Sequence, residues 1–430
     1  MEIKTKRFFT AKKSCSCTMP GVWRAVAHSQ GAVVIFHSPR ACAHVARSMD
    51  IGSDSRNLAT GDLEEEISVP VISSLLEEKH SIFGGIERLG ECIDYVVESY
   101  KPECIVIANS CVAGVIGDDV ESLAKEKEIQ YQVPIITVDC YGFLDGEYYK
   151  GYYEVTKKLI DRFLIPQPKQ KRTAIFIGDI GGPWLKFSQE VTRILNNLGV
   201  KVLGGFPGYI NIKDMSSISR AEACLTLVAR GQSQNYLLDI CKTLSEKFEM
   251  KYFDGIYPIG LKGTVSWLRS VGNLYGLQDE AEKIIQEELE NFKTAQEKIL
   301  RTTRGKTAYI IIGRYLGYFE PAYILESVKN LELDVKGIIL LDVYEEKNKQ
   351  EMLARLKELT DLPILTQIAD EEIINKVDIV FTTHDVKNLK AKALFIPMMG
   401  KAGFSGELEL MKAVRRLLVS RMTAGGLTYV

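Results

Sequence analysis

Cys42 and Cys111 each stand just beyond a short apolar run and at the start of a helical pattern. Cys42 comes after AVVIFHS (32–38) through the turn Pro39-Arg40-Ala41, and Cys111 comes after CIVIAN (104–109) by a single serine. At such positions backbone N–H groups and the helix dipole favour an anion, which lowers a thiol's pKa and suits it to metal ligation. Cys15 and Cys17 lie in a polar leader ahead of Met19-Pro20-Gly21, a third expected helix start. A lone CxC without a second pair is not a zinc-finger spacing. The other cysteines read as buried fillers: Cys92 in an amphipathic helix, Cys104 and Cys224 opening apolar strands, Cys241 within NYLLDICKTL. Cys140 ends a strand, which is compatible with a site, but filler is the preferred reading.

Other reactive residue types say less. His28, His44, His80 and His384 form no HExxH spacing, and no GxxxxGK[ST] phosphate loop occurs, so neither zinc hydrolysis nor ATP hydrolysis is expected of this chain. His37, in His37-Ser38-Pro39-Arg40, is a candidate for proton transfer, though core hydrogen bonding explains it as well. Asp118 and Asp119 precede a helix, where carboxylates are expected for the dipole alone. Tyr148, Tyr149, Tyr152 and Tyr153 form a cluster that either lines a pocket or caps a helix onto the core; Tyr148 and Tyr152 join His37 as the catalytic candidates.

The elements that must position these residues alternate regularly. Near-continuous apolar runs such as 32–38, 104–109, 134–138, 173–177, 307–312 and 336–341 are separated by stretches with apolar spacing of three and four, for example 86–100 and 187–198. That pattern predicts parallel sheets covered by helices on both faces, an α/β fold. A Pro-rich basic stretch at 165–172 and a charged helical stretch ending in Arg301-Thr302-Thr303-Arg304 divide the chain into three Rossmann-like domains, 1–170, 171–303 and 304–430. Lys+Arg (54) nearly cancels Asp+Glu (56), which gives no reason to expect a nucleic-acid or membrane partner. No apolar run approaches a bilayer span and the basic N-terminus lacks an apolar core, so a cytoplasmic protein is expected.

Taken together, Cys17, Cys42, Cys111, Ser81-Ile82-Phe83-Gly84-Gly85 and the run Asn109-Ser110-Cys111-Val112-Ala113-Gly114-Val115-Ile116-Gly117-Asp118-Asp119 resemble nitrogenase component 1. That family comprises molybdenum–iron protein subunits, cofactor-assembly scaffolds and the protochlorophyllide and chlorophyllide reductases. Val138-Asp139-Cys140-Tyr141-Gly142-Phe143 and 397–406 also have counterparts, so the likeness covers nearly the whole chain. The separation 42 − 17 = 25 is typical of the family's first two cluster cysteines, which prefers Cys17 over Cys15.

The resemblance implies three Rossmann-like domains around a central cleft. It also implies that Cys17, Cys42 and Cys111 hold one side of an iron–sulfur cluster at a subunit interface, either 4Fe-4S or larger and P-cluster-like. Three thiolates leave a four-iron cluster one ligand short; a partner chain or Cys15 would supply the fourth. Where the family's catalytic cofactor is ligated, Ser233 replaces cysteine and Gly400 replaces histidine, and neither can substitute for a soft or imidazole ligand. Dinitrogen reduction is therefore not expected. The leading expectation is a nitrogenase-like oxidoreductase subunit, in a homodimer or with a paralogous subunit. It would relay electrons from an ATP-dependent iron–sulfur reductase to a small-molecule substrate, with Arg47 and Asp119 at the docking rim. The alternative is a non-catalytic scaffold for metallocluster assembly.

Overall fold

The computed structural model describes residues 17–46, 48, 68–141, 148–178, 186–227, 232–313, 319–341, 346–366, 374–384, 386, 389–397, 400–420 and 427–429. Cys15 and Arg47 lie outside them. Three parallel sheets succeed one another along the described chain, each interleaved with helices. The α/β expectation is met.

The first sheet has the order β2-β1-β3-β4, with β1 Ala32–His37, β2 Val71–Ser73, β3 Cys104–Ser110 and β4 Ile135–Cys140. Strands β1 and β3 are buried along their whole length. Such strands cannot alternate apolar and polar residues, because helices cover both faces. Period-two geometry sends Val106 and Ala108 of β3, with Val138 and Cys140 of β4, into one core; Ile105 and Ile107 enter the other. The second core is sealed by the helix Ile86–Tyr100 through Leu89, Ile93 and Val96, spaced three and four apart as one helix face requires.

The second sheet is β6-β5-β7, from β5 Gln170–Ile177, β6 Lys201–Phe206 and β7 Ala221–Thr226. The third is β10-β9-β8-β11-β12-β13, from β8 Thr307–Ile312, β9 Asp334–Leu340, β10 Ile364–Leu365, β11 Ile379–Thr382, β12 Lys392–Phe395 and β13 Leu427–Tyr429. Three short strands, β2, β10 and β13, escape the sequence reading because two or three residues carry no periodicity.

The chain gathers into two compact units. One holds Ser16–Glu290 with Lys401–Gly406, and the other holds Asn291–Gly400 with Glu407–Val430. The first unit carries two sheets because they share a core: Ile175, Ile177 and Cys224 cluster with Val106, Ala108 and Val138 around the helices Tyr148–Phe163 and Gln232–Phe248. Within the second unit, Glu407 is buried and accepts hydrogen bonds from Ser327 Oγ (2.6 Å) and Asn330 Nδ2 (3.0 Å). Burial pushes its carboxyl above the ordinary range.

Candidate functional site

The order of the first sheet reverses between β1 and β3, and open parallel sheets bind ligands outside the carboxyl ends of their strands at such a point. His37 ends β1 and lies in register with Asn109 near the end of β3. Beyond β3 each turn is fixed locally. Ser110 caps the helix Cys111–Ile116 by accepting the Ala113 N–H (3.3 Å), which makes Cys111 its first residue. Gly117, at φ +85°, ends the helix in a left-handed turn. Asp119 caps the next helix, Val120–Tyr131, through the Ser122 N–H (3.1 Å); that bond holds its carboxyl below the usual range.

Asp118 turns the other way. It accepts the Gly85 N–H on both oxygens (2.9 and 3.1 Å) and bonds His37 Nε2 (2.9 Å). His37 is fully buried, and its Nδ1 meets Ser74 Oγ (2.9 Å), which also accepts the Ser38 N–H (3.2 Å). A neutral ring satisfies the network, with Nε2–H donating to Asp118 and the Ser74 hydroxyl donating to Nδ1. Burial pushes the imidazole pKa down against the opposing pull of Asp118. Gly85 has no room for a side chain: a Cβ there would sit 2.4 Å from Leu76 Cδ2 and 2.8 Å from Asp118 Oδ2. Three separate motifs thus meet in one junction, and Ser74, which no sequence pattern marks, completes it.

The three predicted thiols lie around this sheet end. Cys17 is exposed and occupies the N-cap position of the helix Thr18–Arg24. Gly151 fixes its height, since the Thr18 carbonyl oxygen lies 2.2 Å from where a Cβ of Gly151 would stand. Cys42 is half-buried, donates its N–H to the Pro39 carbonyl (3.1 Å), and packs on the core that contains Cys140. Burial raises the Cys42 thiol pKa, and so does the charge of Cys111. The fully buried Cys140 is raised by burial, then by Cys17, Asp139 and Cys111. Burial is also the main cause for Cys92, pushed up to about 11, and Cys104, pushed up to about 12. Cys104, Cys224 and Cys241 are core fillers with thiols fully or almost fully buried.

Among the described residues, no group of three or more His, Cys, Asp or Glu side chains is arranged to hold a metal ion. Thiolates are the donor type that iron–sulfur clusters take.

The tyrosine candidates separate by burial. Tyr152 is 1% exposed within the core, whereas Tyr148 and Tyr149 are half-buried with rings edge to face at 5.1 Å. Tyr153 donates to Asp239 on the helix Gln232–Phe248. Ser233 belongs to the first turn of that helix, and Gly400 is buried. Asn109, the first residue of the run that carries the family resemblance, donates from Nδ2 to Asp139 (3.1 Å), while its buried Oδ1 has no hydrogen-bond partner. Beside Cys111, the short helix His80–Phe83 packs on Cys111–Ile116 and leaves Ile82, Phe83 and Val115 more than three-quarters exposed.

Comparison with known proteins places the chain in a family. A nitrogenase molybdenum–iron protein alpha chain from Methanosarcina barkeri is 28% identical over 57% of this chain, a match spanning 47% of that relative's length. The nitrogenase iron–molybdenum cofactor biosynthesis protein NifE of Clostridium pasteurianum is 24% identical over 87% of this chain and 82% of its own length. The NifE of Klebsiella pneumoniae is 23% identical over 81% and 76%. The solved structure of nitrogenase Cp1 at pH 5 superposes with a TM-score of 0.67, covering 97% of this chain and 90% of that one at 17% identity, so it bears on the fold alone. The family model for nitrogenase component 1 type oxidoreductases matches residues 17–418, and the chain belongs to that family.

Proposed function

We propose that this chain is an iron–sulfur-holding subunit of the cofactor-assembly kind, a scaffold that receives a metallocluster precursor as cargo. The observation that carries this reading is the pairing of retained and missing ligands. Cys17, Cys42 and Cys111 are all present at helix starts, while Gly400 and Ser233 stand where the family resemblance would put the ligands of a catalytic cofactor. Relatives named as cofactor biosynthesis proteins are matched over most of their own length. In this reading the chain folds as three Rossmann-like domains, and its three thiolates would hold one resident cluster, which supplies low-potential electron storage when bound.

The chain's own residues do the positioning. Ser110, Gly117 and the His37–Asp118–Gly85 junction fix the turn that carries Cys111, and the Gly151 contact fixes Cys17. Because both ring nitrogens of His37 are engaged, its part here is to hold that turn. The exposed Ile82, Phe83 and Val115 offer an apolar surface beside the thiols, suited to a second subunit, whether a copy of this chain or a paralogue. Asp119, at the cap of the following helix, is the contact offered to a transient reductase.

A second reading, electron relay from an ATP-dependent iron–sulfur reductase to a small organic substrate, has its support in the alpha-chain relatives. One experiment separates the two. Anaerobically purified protein, with its paralogous partner where one exists, is offered either an apo acceptor protein or an iron–sulfur ATPase with ATP and substrate. Transfer of a bound cluster without turnover supports the scaffold, and ATP-dependent turnover without transfer supports the relay. For either reading, Cys42→Ser or Cys111→Ser protein that retains full iron and its visible spectrum would show the ligand set to be wrong.

A further inference from the structure

We propose that Arg24 is a positioning residue for the cluster thiol Cys17, acting along the helix Thr18–Arg24 from a clamp on the second sheet. The inference rests on the iron–sulfur reading of Cys17. That helix has Cys17 at its N-cap and Arg24 as its last residue, and Thr18 to Trp23 are all buried. Two turns of buried helix, about 10 Å long, move as a rod. A displacement at one end is therefore felt at the other.

Two sets of contacts hold the rod. Near its start, Gly21 and Gly151 let it cross the helix Tyr148–Phe163 backbone against backbone, which sets its height. A single crossing still leaves the rod able to swivel about the contact. Arg24 stops the swivel at the far end. Its Nη2 donates to Tyr209 Oη (2.8 Å) and its Nη1 meets His28 Nε2 (3.0 Å). A guanidinium only donates, so Nε2 accepts. The buried His28 ring stacks on Tyr209, with centroids 5.2 Å apart and planes inclined by 15°. A basic residue in a last helical turn is expected for the dipole alone, but such a residue reaches into solvent. Arg24 is instead half-buried and bonds two side chains.

The anchor belongs to the exit of β6. Tyr209 folds back to pair with Gly205 of that strand. Gly208, at φ +96°, lies so close that a Cβ would stand 3.2 Å from the Arg24 carbonyl oxygen. Backbone bonds continue the seam, from the His28 N–H to the Gly208 carbonyl (3.1 Å) and from the Ile212 N–H to the Gln30 carbonyl (3.0 Å). The second sheet bears none of the three thiols, yet it is fastened to the helix that aims one of them.

Full-length protein reconstituted anaerobically with iron and sulfide is the material for the test. Tyr209→Phe removes the anchoring hydroxyl and little else. It should bind as much iron as the wild type but shift the EPR g values of the reduced cluster. It should also release iron to the chelator bipyridyl about tenfold faster, as when an outer partner of a metal ligand is removed. Arg24→Met should do the same, and Arg24→Lys, which keeps a donor, should recover part of the loss. The control is Tyr275→Phe, which deletes a comparable hydroxyl bond to the Thr173 carbonyl of β5 (2.7 Å). Its g values and iron release should match the wild type. Wild-type behaviour of both Tyr209→Phe and Arg24→Met, with Cys17→Ser altered, would overturn the clamp and leave the cluster reading standing. Equal effects of Tyr275→Phe and Tyr209→Phe would also overturn it, by tracing them to general stability. Wild-type protein that takes up no cluster at all would overturn both.

Discussion

Replacing Gly151 by alanine tests whether the fold sets the height of Cys17. The helices Thr18–Arg24 and Tyr148–Phe163 cross with backbone against backbone: a Cβ on Gly151 would stand 2.2 Å from the Thr18 carbonyl oxygen, and one on Gly21 would stand 1.9 Å from the Tyr148 carbonyl oxygen. The obstructing atoms are main-chain oxygens, so no side-chain rotation relieves the overlap and one helix must withdraw. Overpacking of this kind costs about 1–3 kcal/mol, and the upper end applies where backbone has to move. The helix-propensity gain of alanine over glycine, about 1 kcal/mol, offsets part of it. Gly90 provides the contrast. It too lies inside a helix, but its Cβ would meet only Lys127 Cε at 3.9 Å and Leu123 Cδ1 at 4.0 Å, both ordinary contacts. Gly90→Ala should therefore stabilise by roughly 0.5–1 kcal/mol, whereas Gly151→Ala should destabilise by about 1–2 kcal/mol net. Urea unfolding monitored by tryptophan fluorescence reads both, because Trp23, 2% exposed, lies in the crossing helix. Gly151→Ala should also lower reconstituted iron content, since Cys17 directly precedes the displaced Thr18. A Gly151→Ala protein as stable as the wild type, or two substitutions of the same sign, would refute the close-crossing argument.

Three further outcomes are expected of the same structure. The unfolded chain protonates His37 near its ordinary 6.5 while the folded protein, with that pKa lowered, resists. Stability should then fall as pH drops below that value, and urea midpoints for His37→Gln should show a flatter slope between pH 7 and about 5. Glu407 has the opposite sign: its folded pKa is raised, so its contribution is present below its ordinary 4.5 and is lost as pH rises through the folded value. Glu407→Gln should remove that alkaline loss in the same titration. Gly85→Ala, whose methyl would lie 2.4 Å from Leu76 Cδ2, should cost about 1–3 kcal/mol and weaken the His37–Asp118 bond, seen as a shifted imidazole NMR resonance.

Much of the fold and site is legible in the sequence, and the illegible parts share a cause. The run from Asn109 to Asp119 reads residue by residue as strand end, cap, thiol, helix, left-handed turn and cap, because each step obeys local stereochemistry. The helix at Ile86–Tyr100 matches its periodicity to the residue. Ser74 carries no such signal, since it lies just after a three-residue strand and acts on a histidine 37 positions away. Asp118 and Asp119 look alike in sequence, yet one caps a helix and the other anchors a buried imidazole; only the direction of the turn after Gly117 separates them. The basic Pro-rich stretch at 165–172 does precede a new sheet, but composition cannot reveal that Ile175 and Cys224 share a core with Val106. Cys140 is ambiguous for the same reason. Its place at a strand end is evident, whereas the convergence of its face with Cys42 and the Cys17 helix depends on packing between distant segments.

The thiols stand where they do because a parallel sheet has only one place to gather residues from distant segments. Strand interiors are committed to the two cores, so chemistry is left to the first residues beyond each carboxyl end. At the switch point between β1 and β3 the flanking segments diverge to opposite faces, which opens room that helices close elsewhere. The protein then aims those residues with rigid devices: a serine cap, a left-handed glycine, and two glycines that let helices touch. None of these contributes a ligand. Each fixes where a thiol begins, and a site built from separate segments depends on that positioning more than on the flexibility of the ligands themselves.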